Sequence, residues 1–330
     1  MKRFISLFIS ITLFAMLLSS CSGRSTGNDV ETDASQTTDP ASTAIQTDDP
    51  ISEWPRTHID ASGIEVVIEK QPENVVVLHR GYMEWVLSLG IKPTASVATE
   101  VIGNWVTLES LKNEGVVDLG NTGEPNMEKM IELSPDLIIA IGGKDDGNME
   151  AFNKIAPAVT IPYNPGGYWG DELRIYASVL GKENEAEQII TQVETQRKAV
   201  VEKLSALEET VVFIQSLRGR GNNTVGAKEF FYDQEFGLGL NVPNKLPQGN
   251  EVMSIEGFAE LNPDHIFIMA DDEEAFNAAV TELEKSSVWN SLGAVKNNRV
   301  HYMNLALYST GPISIPMAID AVTQALLNGE

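Results

Sequence analysis

One passage of this chain occurs twice. NMEKMIELSPDLIIAI, from Asn126 to Ile141, returns as SIEGFAELNPDHIFIM, from Ser254 to Met269, at a constant offset of 128 residues. Glu128 matches Glu256, Glu132 matches Glu260, Leu133 matches Leu261, Pro135 matches Pro263, Asp136 matches Asp264 and Ile138 matches Ile266. Between the copies runs Glu183 to Glu209, which contains neither proline nor glycine. Its apolar residues, Ala186, Ile189, Ile190, Val193, Val200, Val201, Leu204 and Leu207, recur at the three-and-four spacing of one helical face. At about 1.5 Å per residue such a helix would span roughly 40 Å. The expectation is two related lobes joined by a rigid strut.

A length of 330 residues provides for two domains, each with its own core. The formal net charge of −24 repels phosphate backbones, which argues against nucleic acid as a partner. In so acidic a chain, a cation at a loop tip carries more information than usual.

The single cysteine, Cys21, excludes an intramolecular disulfide. It follows Lys2 and Arg3, an apolar run and then Leu18-Ser19-Ser20, the order of a secretory leader with its cleavage site. Leu-Ser-Ser-Cys resembles the bacterial lipobox, which implies a signal peptide over 1–20 and a diacylglyceryl group on Cys21. The apolar run is short for a membrane span, and no other stretch is long and apolar enough to be one. From 21 to 53 the chain is rich in Ser, Thr, Asp and Gly and nearly lacks large apolar residues, so it reads as a disordered tether.

After a hairpin around Asp60 to Gly63, apolar strands alternate with short helices. VVVLH, PTASVAT, VVDLG, DLIIAIGG and AVTIPYN are the strands of the first lobe, with helices at MEWVLSLGI and NMEKMIEL. Beyond the strut, VVFIQ, HIFIMA and RVHYMN are strands. Helices are expected around Phe230 to Gly237, over SIEGFAEL, near Val280 to Ser286 and from about Pro312. This grammar predicts two Rossmann-like α/β lobes with mainly parallel sheets, over 54–182 and 210–330, joined by a helix over 183–209, with a ligand cleft between them.

Ligands of open parallel sheets bind beyond the carboxyl ends of the strands. Residues just past the predicted strands are Arg80, Tyr82, Glu100, Trp105, Lys144, Tyr163, Tyr168 and Trp169 in the first lobe. In the second they are Arg218, Arg220, Phe231, Tyr232 and Tyr308. Arg80 and Arg218 each follow the first strand of a lobe. Guanidinium groups suit oxygen-rich anions and stack on aromatic faces. Each residue also has a plainer reading, as a solvated arginine paired with a nearby acid or as an aromatic packed in the core.

Enzyme signatures are missing. GNNTVGAK, from Gly221, lacks the Gly-Lys-Ser/Thr core of a phosphate loop, and there is no nucleophile elbow. His58, His79, His265 and His301 have no metal-ligand spacing, and His265 and His301 fall within strand patterns.

Lipobox, polar tether, two lobes and one connecting helix resemble the substrate-binding lipoproteins of bacterial ABC importers for iron-siderophore complexes and vitamin B12. The resemblance covers the chain from about Trp54 onward and rests on EPNMEKMIELSPDLII, VLGKENEAEQ, SIEGFAELNPDHIFI and SVWNSLGAVKNNRVHYMN. It implies a monomeric, non-enzymatic receptor on the outer face of the cell membrane that captures a ferric siderophore, a hydroxamate being favoured, and delivers it to the permease. The chelate holds the iron, so no resident cofactor or protein metal site is expected. It also implies that Glu128 and Glu256 dock into the permease, and that Arg80, Tyr82, Trp105, Tyr168, Trp169, Arg218, Arg220, Tyr232 and Tyr308 contact the ligand. Where the family commonly has a tryptophan before its Gly-Pro, this chain has Tyr308 in LALYSTGP. Cobalamin, haem or ferric citrate is the alternative cargo, and an anchored enzyme the alternative of another class.

Overall fold

The computed structural model describes residues 54–162, 167–217, 221–224, 226 and 229–327. The expected leader, tether and Cys21 lie outside them, as do Tyr163, Arg218 and Arg220.

A short antiparallel hairpin, β1 (Arg56–Ile59) and β2 (Glu65–Ile68), opens the fold at Asp60. The Asp60 carboxylate accepts from the backbone N–H groups of Ser62 and Ile64 and so closes the turn. The first lobe then runs β3 (Val75–Val77), α1 (Tyr82–Ser88), β4 (Ala95–Ser96), β5 (Val117–Asp118), a small hairpin of β6 (Gly120–Asn121) and β7 (Glu124–Pro125), α2 (Met127–Leu133), β8 (Leu137–Ile141), α3 (Met149–Phe152), β9 (Ala158–Ile161) and α4 (Trp169–Leu180). Its main sheet has the order β5-β4-β3-β8-β9, and every pairing is parallel. Side chains alternate across a strand, so its two faces bury different cores. Val75, Val77, Leu137 and Ile139 face the main core with α1 and α4. Val76, Leu78, Ile138 and Ala140 face a second core with Met130, Met149 and Phe152. Burial on both faces is why these strands are apolar throughout.

The strut is α5 (Glu183–Leu204), a helix of 22 residues that buries Ala186, Ile190 and Val193 and packs on α4 and on the last helix of the chain. It stops five residues before the expected Glu209, because the chain is turned back into the second lobe at Thr210. There Asp264 accepts from the Thr210 backbone N–H at 2.8 Å and from its hydroxyl at 2.9 Å. That tertiary tie overrides helix propensity in Ser205 to Leu207.

The second lobe holds β10 (Val211–Leu217), β11 (Gly221–Thr224), β12 (Glu251–Val252), α6 (Ile255–Leu261), β13 (His265–Ala270), α7 (Glu273–Leu283), α8 (Gly293–Lys296), β14 (Val300–Asn304) and α9 (Ser314–Leu327). Its sheet order is β12-β11-β10-β13-β14. The last three are parallel, and the first two form an antiparallel edge. The helix expected at Phe230 to Gly237 is instead a set of turns. The Asp233 carboxylate draws in the N–H groups of Glu235 and Phe236, which competes with helical bonding. The helix expected near Val280 begins earlier, where Asp272 accepts from the Ala275 N–H at 2.7 Å and caps α7. Among the described residues no helix is long and apolar enough to cross a membrane.

Candidate functional site

A cavity of about 310 Å³ opens between the lobes at the carboxyl ends of both sheets. Its first wall begins where β3 gives way to α1. Leu78 still pairs with β8 through Ile139, then His79, Arg80 and Gly81 turn the chain, with the Tyr82 N–H donating to the His79 carbonyl at 3.0 Å. A Cβ on Gly81 would sit 3.1 Å from the His79 ring, so glycine lets that ring lie over the turn. The Arg80 guanidinium lies over the Trp105 ring at 5.4 Å, a cation held on an aromatic face. Tyr82 is buried, and its hydroxyl donates to the Pro162 carbonyl at 3.1 Å, which pins α1 to the end of β9. Burial, reinforced by Arg80 and Lys144, pushes His79 down to about 4, so it stands neutral at pH 7.

From α4 comes Glu172, whose carboxyl burial pushes up to about 7. The opposite wall is Gln215 at the end of β10, Glu229, and the Leu305 to Thr310 turn that carries Tyr308. Asn250 fixes the proton order on this side. Its Oδ1 accepts from the Gly226 N–H at 2.8 Å, so its Nδ2 donates to the Tyr308 hydroxyl at 2.5 Å. The Tyr308 proton then points to the Glu229 carboxylate. Burial raises Glu229, and this hydrogen bond pulls it back toward the ionised form.

The lobes also meet behind the cavity. Glu84 of α1 is fully buried, and its carboxyl accepts from the Ser314 hydroxyl at 3.0 Å, across 230 residues of sequence. A Cβ on Gly311 would fall 1.7 Å from the same carboxyl oxygen, which explains a glycine before Pro312. Burial pushes Glu84 up to about 8.

The structure brings Arg80, Tyr82, Trp105 and Tyr308 of the expected contact set to one cavity. Trp169 is in the core instead. It opens α4, is 7% exposed, and donates its ring N–H to Glu194 of the strut at 3.2 Å. Tyr168 packs on Phe236 and Trp169 rather than on the cavity wall. Tyr232 is also a core residue, its hydroxyl donating to the Val211 carbonyl at 3.2 Å beside Phe213. Phe231 stacks on Phe213, and Glu100 and Lys144 lie off the wall. Glu172 and Glu229 were missed. Glu172 lies one helical turn past Trp169, and no local signal separates it from the other first-turn acid, Asp171.

His265 and His301 are joined by the parallel pairing of β13 with β14, Nδ1 to Nε2 at 3.0 Å. They flank a second hollow at the amino ends of these strands, away from the lobe interface. Among the described residues no group of three or more metal-ligating side chains occurs. Glu128 and Glu256 are both exposed in the first turns of α2 and α6, helices capped by Asn126 and Ser254.

Two α/β lobes bridged by one long helix, with a cavity fed by the carboxyl ends of both sheets, define a two-lobed solute-binding protein. The chain belongs to the periplasmic binding protein family, which its residues 75–305 match. The iron(3+)-hydroxamate-binding protein YxeB of Bacillus subtilis is 26% identical over 344 residues, spanning 99% of this chain and 98% of its own. The Fe(3+)-citrate-binding protein YfmC of the same species is 25% identical over 251 residues, 72% of this chain and 75% of its own. The fold is shared with the triscatecholate siderophore-binding protein FeuA of B. subtilis, solved with ferri-bacillibactin. That match has a TM-score of 0.67 at 23% identity and covers 83% of this chain and 98% of that one.

Proposed function

We propose that this protein captures a ferric siderophore between its lobes and hands it to the membrane subunits of an ABC importer. The observation that carries the reading is the cavity itself: Arg80, Tyr82 and Trp105 of the first lobe meet Tyr308 of the second at the carboxyl ends of both sheets. The relative aligned along nearly the whole chain binds an iron hydroxamate, and hydroxamate is the favoured cargo. The chelate holds the iron, so the protein contributes contacts to the chelate's outer surface and no metal ligand. Cys21, in Leu-Ser-Ser-Cys, carries the lipid that keeps the receptor on the outer face of the cell membrane. Two relatives named as lipoproteins support that placement. Glu128 and Glu256, one on each lobe, are the contacts to the permease, and the receptor works as a monomer.

Trp85 and Trp105 line the cavity, so ligand entry can be followed by tryptophan quenching. Saturable one-to-one quenching by ferric hydroxamate is expected. Saturation by haem or cobalamin, with no response to any iron chelate, would overturn the siderophore reading. Turnover of a bound ligand would replace the receptor with an enzyme.

A further inference from the structure

The cavity presents one carboxyl from each lobe, Glu172 on α4 and Glu229 beyond β11. Among the described residues no hydrogen bond satisfies Glu172, although most of its surface is out of water. Glu229 receives the Tyr308 proton on one side only, in an order fixed by Asn250 and Gly226. Both carboxyls therefore retain unused acceptor capacity, in a space where desolvation makes charge count. Arg80 is the guanidinium on this wall among the described residues, and its face is engaged by Trp105.

A ferric ion bound by three hydroxamates is formally neutral, and amine arms on such a chelate make it positive. Bound by three catecholates, it keeps a triple negative charge that the wall carboxyls repel once ionised and do not welcome when neutral, since a neutral carboxyl offers such a complex no cation. We infer that Glu172 and Glu229 act as a charge filter, admitting neutral or ammonium-bearing ferric chelates and rejecting multiply anionic ones. This rests on the siderophore reading above and deepens it. Glu172 accepts from an ammonium or amide N–H of the chelate's periphery. Glu229 does the same from the facing lobe, with the Tyr308 hydroxyl donating to it. Specificity then comes as much from repulsion of the wrong complex as from attraction of the right one.

The test is a quenching titration with three chelates. They are a ferric trihydroxamate bearing one free ammonium, the same complex with that amine acylated, and a ferric tris-catecholate. The ammonium form is expected to bind roughly tenfold more tightly than the acylated form, and the acylated form roughly a hundredfold more tightly than the tris-catecholate. Glu172→Gln and Glu229→Gln keep shape and should each shrink the first ratio, and together abolish it, with unchanged circular dichroism. The tris-catecholate arm also reads any contribution from Arg218 and Arg220, since cations there would favour it. Equal or tighter binding of the tris-catecholate overturns the filter while leaving the siderophore reading intact, as does an ammonium preference that survives both substitutions. Binding of none of the three overturns that reading and the filter with it.

Discussion

Asp136 of the first lobe accepts from the backbone N–H groups of Glu73 and Asn74, just ahead of β3. Asp264 of the second lobe does the same for Thr210, just ahead of β10. Before each aspartate the helix ends in a left-handed residue, Ser134 at φ 46° and Asn262 at φ 40°. Each helix begins at a side-chain cap, Asn126 or Ser254. The lobes thus share one device, a capped helix whose exit loop is tied to the entry of the lobe's first strand. At the cleft they differ. Each gives one carboxyl, Glu172 or Glu229, but the first lobe adds Arg80 on Trp105 and a neutral His79, whereas the second adds Gln215 and Tyr308. The frame that presents Glu128 and Glu256 occurs twice, and the cavity wall differs between the lobes, as expected where scaffold and specificity are separable.

The sharpest way to break that comparison is to remove the shared feature. Changing Glu128 and Glu256 together to Ala is expected to abolish uptake of labelled iron by cells, with ligand affinity unchanged in the quenching titration. Each single change should leave partial uptake if the lobes dock equivalently. Loss of stability should be small, since both residues are exposed and a first-turn carboxylate contributes only about 0.3–1 kcal/mol. Full uptake by the double variant would reduce the two glutamates to helix-terminal charges.

A second contrast lies in buried ionisable groups. Glu84 has its folded pKa raised to about 8, from an ordinary carboxylate value near 4.5. Its stabilising state is the protonated one, fully present below the unfolded pKa and lost as pH rises through 8. Burial, reinforced by His265 and Arg299, displaces His301 the opposite way, down to about 4. Its contribution is present above the unfolded value near 6.5 and is lost as pH falls toward 4. Urea denaturation across pH 4 to 9 should therefore show a loss between about pH 4.5 and 8 that Glu84→Gln removes, on the order of 4 kcal/mol by pH 8. A smaller loss on the acid side should respond to His301→Gln, because that ring is only partly buried. A slope over that range unchanged in Glu84→Gln would mean that the inter-lobe carboxyl is ionised in the fold.

The duplication at Glu128 and Glu256, the strut and most of the strands were legible, because they follow from apolar period and from Pro, Gly and Asp at element ends. Arg80, Tyr82, Trp105 and Tyr308 could be nominated for the cavity because each lies just past a strand or in the turn before the last helix. Glu172 could not be separated from any other first-turn acid of a helix, and Glu229 follows an antiparallel edge that the repeat does not contain. The His265–His301 pair needed the register of β13 against β14, and the Glu84–Ser314 contact spans the whole chain. Long-range pairing of this kind has no local pattern.

The smallest expected effect separates wall from core. Trp169 follows two glycines and opens a helix, the setting of a cleft aromatic, yet its ring N–H is spent on Glu194, which also binds the buried Arg197 of the strut. Arg197 in turn donates to the Gly237 carbonyl of the second lobe at 2.9 Å. Trp169 is thus the first link of a chain that fastens lobe, strut and lobe. Trp169→Phe keeps most of the ring contact and deletes one hydrogen bond to a charged acceptor, so it should cost about 1.5–3 kcal/mol of unfolding free energy. Affinity for the ammonium-bearing chelate should stay unchanged, against a loss of roughly threefold for Glu172→Gln one turn further along α4. If Trp169→Phe weakened the chelate as much as Glu172→Gln, the cavity would extend across the amino end of α4, and the tryptophan would count among the groups that read the cargo.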